Sequence, residues 1–241
     1  MDKFKYHLKK NLLKINRLPK KLYTIYNMES PEPDARDKYL EDLELAYLYS
    51  IFNLFNRVEK VPGHIVELGV GAGRNAILFG KLLKGISQNI NSNYYGFDSF
   101  GSYTEKDLAN HATLDPKRWK KNSLEFVEER LHSHDLSNIC HLIKGDIRET
   151  IPNFLKRDDM NGFSSSGFFC RLIYVDTSAH NPSLLSMQKL YDHLSIGGIL
   201  SIDQRKQGGE WSAFNEFCSE NSLTPIAGKN LNDVPAYIIK K

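Results

Sequence analysis

Cysteine is scarce: Cys140, Cys170 and Cys218 are the only three in 241 residues, with none of the paired spacings that build a zinc site. An odd, sparse set of this kind suits a reducing cytoplasm, which is the expected compartment. No run of 18 apolar residues occurs, so no spanning helix is expected. Residues 1–21, MDKFKYHLKKNLLKINRLPKK, lack the continuous apolar stretch and cleavage site of a secretory signal. A large net charge is missing too, the balance being +3. That balance conceals an asymmetry. Residues 1–21 carry eight Lys/Arg against one Asp, about +7, which leaves the other 220 residues at about −4. A uniformly basic nucleic-acid-binding domain would not distribute charge this way, so nucleic acid is not the expected partner. The basic segment, with Phe4, Leu12, Leu13, Ile15 and Leu18 interleaved, opens an arm over residues 1–38. It reads as a solvated arm, or as a peripheral contact with an anionic membrane surface.

What the chain has is alternation. After the SPEPD break at 30–34, the stripe Leu40, Leu43, Leu45, Leu48, Ile51, Phe52, Leu54 and Phe55 predicts a helix covering the sheet that follows. Strand-like and helix-like runs then alternate: HIVELGV, NAILFGKLLK, NYYGFDSF, SLEFVEERLHSH, ICHLIKGD, ETIPNFLKR, FFCRLIYVDTS, PSLLSMQKLYDHL, GGILSID and EWSAFNEFCSEN. Such alternation predicts a domain over residues 39–241 of the α/β class, with a doubly wound, mostly parallel sheet. Two strand-like pieces in the tail, TPIAGK and PAYIIKK, have no helix between them and predict an antiparallel hairpin at the edge. Ligands of open parallel sheets bind beyond the carboxyl ends of the strands. Five strands end in or near an acid there: Glu67, Asp98, Asp146, Asp176 and Asp203.

Two further absences narrow the ligand. The turn after Gly69 has no GxxxxGK[ST] lysine, which excludes the simplest ATPase, and position 74 is Arg where the dinucleotide fingerprint requires glycine. The turn itself is Glu67-Leu-Gly69-Val-Gly71-Ala-Gly73, with an acid two residues before the first glycine. A carboxylate there would repel a pyrophosphate and suit a cation such as S-adenosylmethionine (SAM), with its sulfonium and ammonium groups. Asp98, in YYGFDSF, closes the second strand with Ser99 beside it, where an acid accepts from ribose hydroxyls. Asp146 can accept from an adenine amine, and Ile147 can pack on the ring.

The order ELGVGAG, YGFDSF, KGDIRETIP, IYVDTSAHNPS, GGILSID resembles class I SAM-dependent methyltransferases. More narrowly it is similar to the macrocin O-methyltransferase family, over roughly residues 40–225. The resemblance implies a seven-stranded sheet with its last strand antiparallel, SAM as cofactor, and an acceptor hydroxyl on a sugar or related small molecule of a surface glycan or natural product. It also implies a divalent cation, such as Mg²⁺, held by an acid after the fourth strand and an acid pair after the fifth. Asp176 and Asp203 match the first positions of each. Gln204 stands where many relatives have the second acid, Ser178 where many have another Asp, and His180 where Tyr is frequent. Asp176, Asp203 and the Gln204 amide still supply three oxygen ligands, so the residues admit a metal-assisted and a metal-free reaction alike.

Without a metal, His180 is the candidate base beside Asp176 and Asp203, since an unperturbed imidazole is mostly neutral at cytoplasmic pH. The insert 102–123, with Tyr103, His111, Arg118 and Trp119, is the expected lid. HSHD at 132–135 reads as a solvated helix end rather than a metal cluster. A SAM-binding protein without turnover, or one with an RNA acceptor, remains the alternative function. A homodimer through the 40–55 helix and the arm stays open.

Overall fold

The computed structural model describes residues 42–87, 91–110, 114–115, 117, 119–156, 167–203, 208–226 and 236–241. The chain divides into two compact units, Met1–Leu45 and Ala46–Lys241. The basic arm expected over residues 1–38 lies outside the described residues.

In chain order the elements are α1 (Asp42–Val58), β1 (His64–Leu68), α2 (Arg74–Gly85), β2 (Tyr94–Asp98), α3 (Glu105–Asn110), α4 (Leu124–Ser133), β3 (Cys140–Lys144), α5 (Ile147–Leu155), β4 (Cys170–Val175), α6 (His180–Leu190), β5 (Leu194–Ile202), α7 (Gly208–Glu220) and β6 (Ala236–Ile239). The strands form one sheet in the order β3-β2-β1-β4-β5-β6. The first five run parallel and β6 runs antiparallel to β5. The doubly wound sheet and its antiparallel edge are as expected, but among the described residues it has six strands where seven were expected. Of TPIAGK, residues 224–226 are described, and among them Ile226 bridges to Tyr237, with backbone bonds of 2.7 and 2.9 Å. Pro225, which has no amide hydrogen to give a ladder, flanks that bridge.

Both faces of the sheet are covered, so the strand side chains alternate between two apolar layers. Val66, Leu68, Phe97, Ile173, Val175, Leu200 and Ile202 join one layer, against Ile151 and Phe154 of α5, Met187 of α6 and Phe214 of α7. Ile65, Tyr94, Leu172, Tyr174 and Ile199 join the other, against Ile51 and Phe55 of α1, Phe79 of α2 and Val127 of α4. Truncating a fully buried ring such as Phe97 to alanine costs about 3–5 kcal/mol. The three cysteines are free and buried within these layers, and burial pushes their thiols up, to about 12 for Cys140 and about 11 for Cys218. They are packing residues, not nucleophiles. Among the described residues no helix is long and apolar enough to cross a membrane.

The winding places the ligand crevice. From β1 the chain steps outward to β2 and β3, then returns to the other side of β1 for β4 and β5. Strand order reverses between β1 and β4, and the crevice opens at their carboxyl ends.

Candidate active site

The turn after β1 is held on three sides. Gly69 has φ 92°, and a Cβ there would lie 2.1 Å from the Asp176 carbonyl oxygen, so no other residue fits. Its amide donates to the Phe97 carbonyl at 2.8 Å, while the Asp176 amide donates to the Leu68 carbonyl at 2.7 Å. These bonds draw the tips of β1, β2 and β4 together. Further on, the Gly71 amide donates to Asp98 Oδ2 at 2.9 Å, and the Phe100 amide donates to Asp98 Oδ1 at 2.7 Å. Burial raises the Asp98 carboxyl above its ordinary range, and the amides of Gly71, Phe100 and Val70 pull the other way. From α4, Arg130 donates to the Ala72 carbonyl. Gly73 then opens α2 in a left-handed conformation, φ 79°.

Over this turn lies a cavity of about 400 Å³, within the roughly 300–1,000 Å³ range of small-molecule sites. Its walls include Gly69, Gly71, Asp98, Ser99, Asp146, Ile147, Asp176 and Asp203. The order of the strands sets their order across the crevice: Asp146 after β3, Asp98 ending β2, the glycine turn after β1, then Asp176 after β4 and Asp203 after β5.

Three of the residues singled out from sequence are not on the walls. Gly73 is the helix cap already described. Glu67 is fully buried beneath the turn, where Asn75 Nδ2 donates to its Oε1 at 2.9 Å and the Tyr94 hydroxyl donates to its Oε2. Burial pushes its carboxyl up to about 8, against the pull of those two bonds. Glu67 was expected to face the ligand; it lies instead beneath the cavity wall, where it anchors Asn75, which does line the cavity. His180 is the first residue of α6, and its Nε2 lies 2.9 Å from Glu216 Oε2 of α7.

Asp146 is on the wall but engaged. It caps α5, accepting from the Arg148 amide at 3.0 Å, and its two oxygens meet the Arg148 guanidinium at 2.8 and 2.7 Å. Burial raises its carboxyl, yet the hydrogen bonds and charge of Arg148 outweigh that and leave it below the usual range. Gln204, His111 and Arg118 lie outside the described residues.

Sequence reasoning missed Arg148 and Tyr47. Arg148 also donates to Asp107 Oδ1 at 3.0 Å and Thr104 Oγ1 at 2.8 Å, tying α3 of the insert to the β3 tip. Tyr103 and Trp119, both expected in the lid, line the cavity, and the Trp119 indole donates to the Tyr103 hydroxyl at 3.2 Å. Tyr47 reaches the wall from α1, although the apolar stripe that predicted this helix did not include it. For Arg148, the KGDIR spacing was the available signal: an acid capping a helix and an arginine two residues on.

The macrocin O-methyltransferase (TylF) family model matches residues 48–231. The chain belongs to that family. Solved structures of other methyltransferases share the architecture. CalS11, a calicheamicin methyltransferase, superposes with a TM-score of 0.69 at 20% identity, covering 98% of this chain and 91% of its own. The O-methyltransferase NovP superposes with a TM-score of 0.63 at 19% identity, covering 80% and 78%. The apo form of CalS11, a TDP-rhamnose 3'-O-methyltransferase, gives a TM-score of 0.64 at 20% identity, covering 98% and 93%. Comparison with curated protein sequences gives no match. As a member of the family, the chain is a SAM-dependent methyltransferase.

Proposed function

We propose that this methyltransferase moves the SAM methyl group to a hydroxyl of a sugar or a related small molecule. One observation carries the reading: a single cavity joins the glycine turn and Asp98 to the carboxylates of Asp176 and Asp203 on the neighbouring strand tips. The turn and Asp98 suit the methionine and ribose portions of the cofactor, and Ile147 suits its adenine ring. Tyr47, Tyr103 and Trp119 supply the flat apolar surfaces on which a sugar ring packs. The structural likeness to CalS11, a TDP-rhamnose 3'-O-methyltransferase, favours a nucleotide-bound sugar.

In the reaction the acceptor oxygen forms its bond to carbon as the carbon–sulfur bond breaks, and the sulfonium leaves as a neutral thioether. The hydroxyl proton passes to a carboxylate. Proximity supplies much of the acceleration, and the carboxylate acts as general base. Asp203 is assigned that role together with Asp176; the ring of His180 is turned to Glu216. Asp176 and Asp203 are oxygen donors of the kind Mg²⁺ takes, completed by waters. No group of three His, Cys, Asp or Glu able to hold a metal occurs among the described residues. When bound, the ion would lower the pKa of the acceptor hydroxyl.

The test is incorporation of radiolabelled methyl from SAM into a panel of nucleotide-sugars, with and without EDTA. Labelled sugar supports the reading. Label that appears only in RNA, or in no acceptor, contradicts it.

A further inference from the structure

Glu67 and Tyr174 are register partners in β1 and β4, and Tyr174 pairs with Ser201 in β5. Partners in register point to the same face, so Glu67 and Tyr174 stand side by side under α1 and α2. Asp203 follows Ser201 by two and returns to that face. On it a line of hydrogen bonds runs across the sheet. The Tyr94 hydroxyl and Asn75 Nδ2 donate to Glu67, and the Tyr47 hydroxyl donates to Asn75 Oδ1 at 2.6 Å. The Tyr174 hydroxyl donates to Asp203 Oδ1 at 2.6 Å. Between the two phenol oxygens the distance is 3.5 Å. Both phenol protons are engaged in the shorter bonds, so that gap is a contact at the limit of hydrogen bonding. The line therefore has two halves, one holding the glycine turn and one holding Asp203, and they meet at Tyr47 and Tyr174.

Tyr174 is fully buried and does not line the cavity, whereas Asp203 and Tyr47 do. An aspartate at a strand tip has a freely rotating carboxylate unless something fixes it. Here a buried phenol, itself locked by packing against Phe79 at 5.8 Å between ring centroids, grips one oxygen. We propose that Tyr174 is the positioning residue for Asp203, and that Tyr47 references that position to the cofactor turn through Asn75. The proposal rests on the reading of Asp203 as the acid on the acceptor side. Misplacing a catalytic group by about 1 Å can cost on the order of 100-fold in rate, so the loss of one buried hydroxyl is enough to show.

Tyr174→Phe keeps the ring and deletes the bond. In a crystal structure of this variant with S-adenosylhomocysteine, the Asp203 carboxylate is expected to leave its wild-type orientation while the Gly71–Asp98 contact persists. Calorimetric affinity for S-adenosylhomocysteine stays within about two-fold, since that half of the line is untouched. Tyr47→Phe, in contrast, unties Asn75 and weakens that affinity several-fold. In the nucleotide-sugar assay kcat of Tyr174→Phe falls about 10–100-fold, and in an Asp203→Asn background the same change adds no further loss. An unmoved Asp203 in the variant crystal, a loss of cofactor affinity equal to the loss of kcat, or an additive effect on Asp203→Asn would each overturn the proposal. If Asp203→Asn keeps wild-type turnover, or no sugar is labelled at all, the functional reading fails instead, and the crystallographic result still decides the positioning.

Discussion

The Gly71 amide and the Asp98 carboxylate meet at 2.9 Å, joining the turn after β1 to the tip of β2. This bond makes the cofactor turn a two-strand structure. Its shape depends on an acid 27 residues away, and the same acid presents itself to the cavity.

Beneath the turn, Glu67 acts by holding rather than by attracting. Replacing it with glutamine is expected to leave affinity for S-adenosylhomocysteine within about three-fold at pH 7, as measured by calorimetry. A loss of 30-fold or more would restore the charge-based role. The replacement also changes pH dependence. The folded-state carboxyl is raised to about 8 by burial, so its contribution is fully present below the unfolded value near 4.5 and is lost as pH rises through 8. That loss amounts to a few kcal/mol at most. Denaturant titrations of Glu67→Gln should lack this decline between about pH 4.5 and 8.

At the opposite end of the strands, His64 imposes the reverse dependence. It stacks on Phe168 and accepts the Asn93 amide on Nδ1 at 3.0 Å. Burial, with the charges of Arg171 and His141 behind it, lowers its pKa to about 4. The unfolded chain therefore takes up a proton near pH 6.5 that the folded chain refuses until about pH 4. Stability falls as the pH drops through that window, by on the order of 3 kcal/mol. His64→Phe should flatten the slope between pH 6.5 and 4.5; an unchanged slope would place the acid sensitivity elsewhere.

For His180, alanine substitution is expected to leave kcat within about three-fold, because its ring is paired with Glu216 at 2.9 Å rather than set on the cavity wall. A fall of 100-fold with unchanged cofactor affinity would return the role of base to this histidine.

Arg148 is the clasp between the insert and the β3 tip. Arg148→Ala leaves Asp107 and Asp146, whose side chains are 10% and 20% exposed, without their counter-charge. Losing a charged hydrogen bond of this kind costs about 1.5–3 kcal/mol. The expected result is a 10-fold or greater rise in KM for SAM, with faster proteolysis within residues 102–123. An unaltered KM would show that the insert closes without it.

Most of the fold was legible because both faces of the sheet are buried. Runs such as IYV and ILSI identify strands, acids mark their tips, and the glycines mark the crossover. The seventh strand was expected from the strand-like composition of TPIAGK, which does not reveal that among its described residues Ile226 alone makes a bridge. At the site, Asp98, Asp146, Asp176 and Asp203 were visible as strand-end acids, but their partners were not. Whether an acid reaches the crevice or stays in the layer beneath depends on how far along its strand it stands: Glu67 pairs with Gly96, so it shares a face with Asp98 but lies one step of the pleat short of it. Glu67 lies on β1 and falls to the layer beneath, whereas Asp98 ends β2 and reaches the wall. Tyr47 and Tyr174 resembled ordinary core aromatics in sequence, because a phenol's hydrogen-bond partner is set by tertiary packing.

The most direct measurement is isothermal calorimetry of the purified protein with S-adenosylhomocysteine, NADP and ATP, repeated on Asp98→Ala. The cavity described here predicts heat from S-adenosylhomocysteine alone and at least a 10-fold weaker affinity when Asp98 is removed, the loss of a buried charged acceptor. Tight binding of NADP or ATP with no heat from S-adenosylhomocysteine would contradict it.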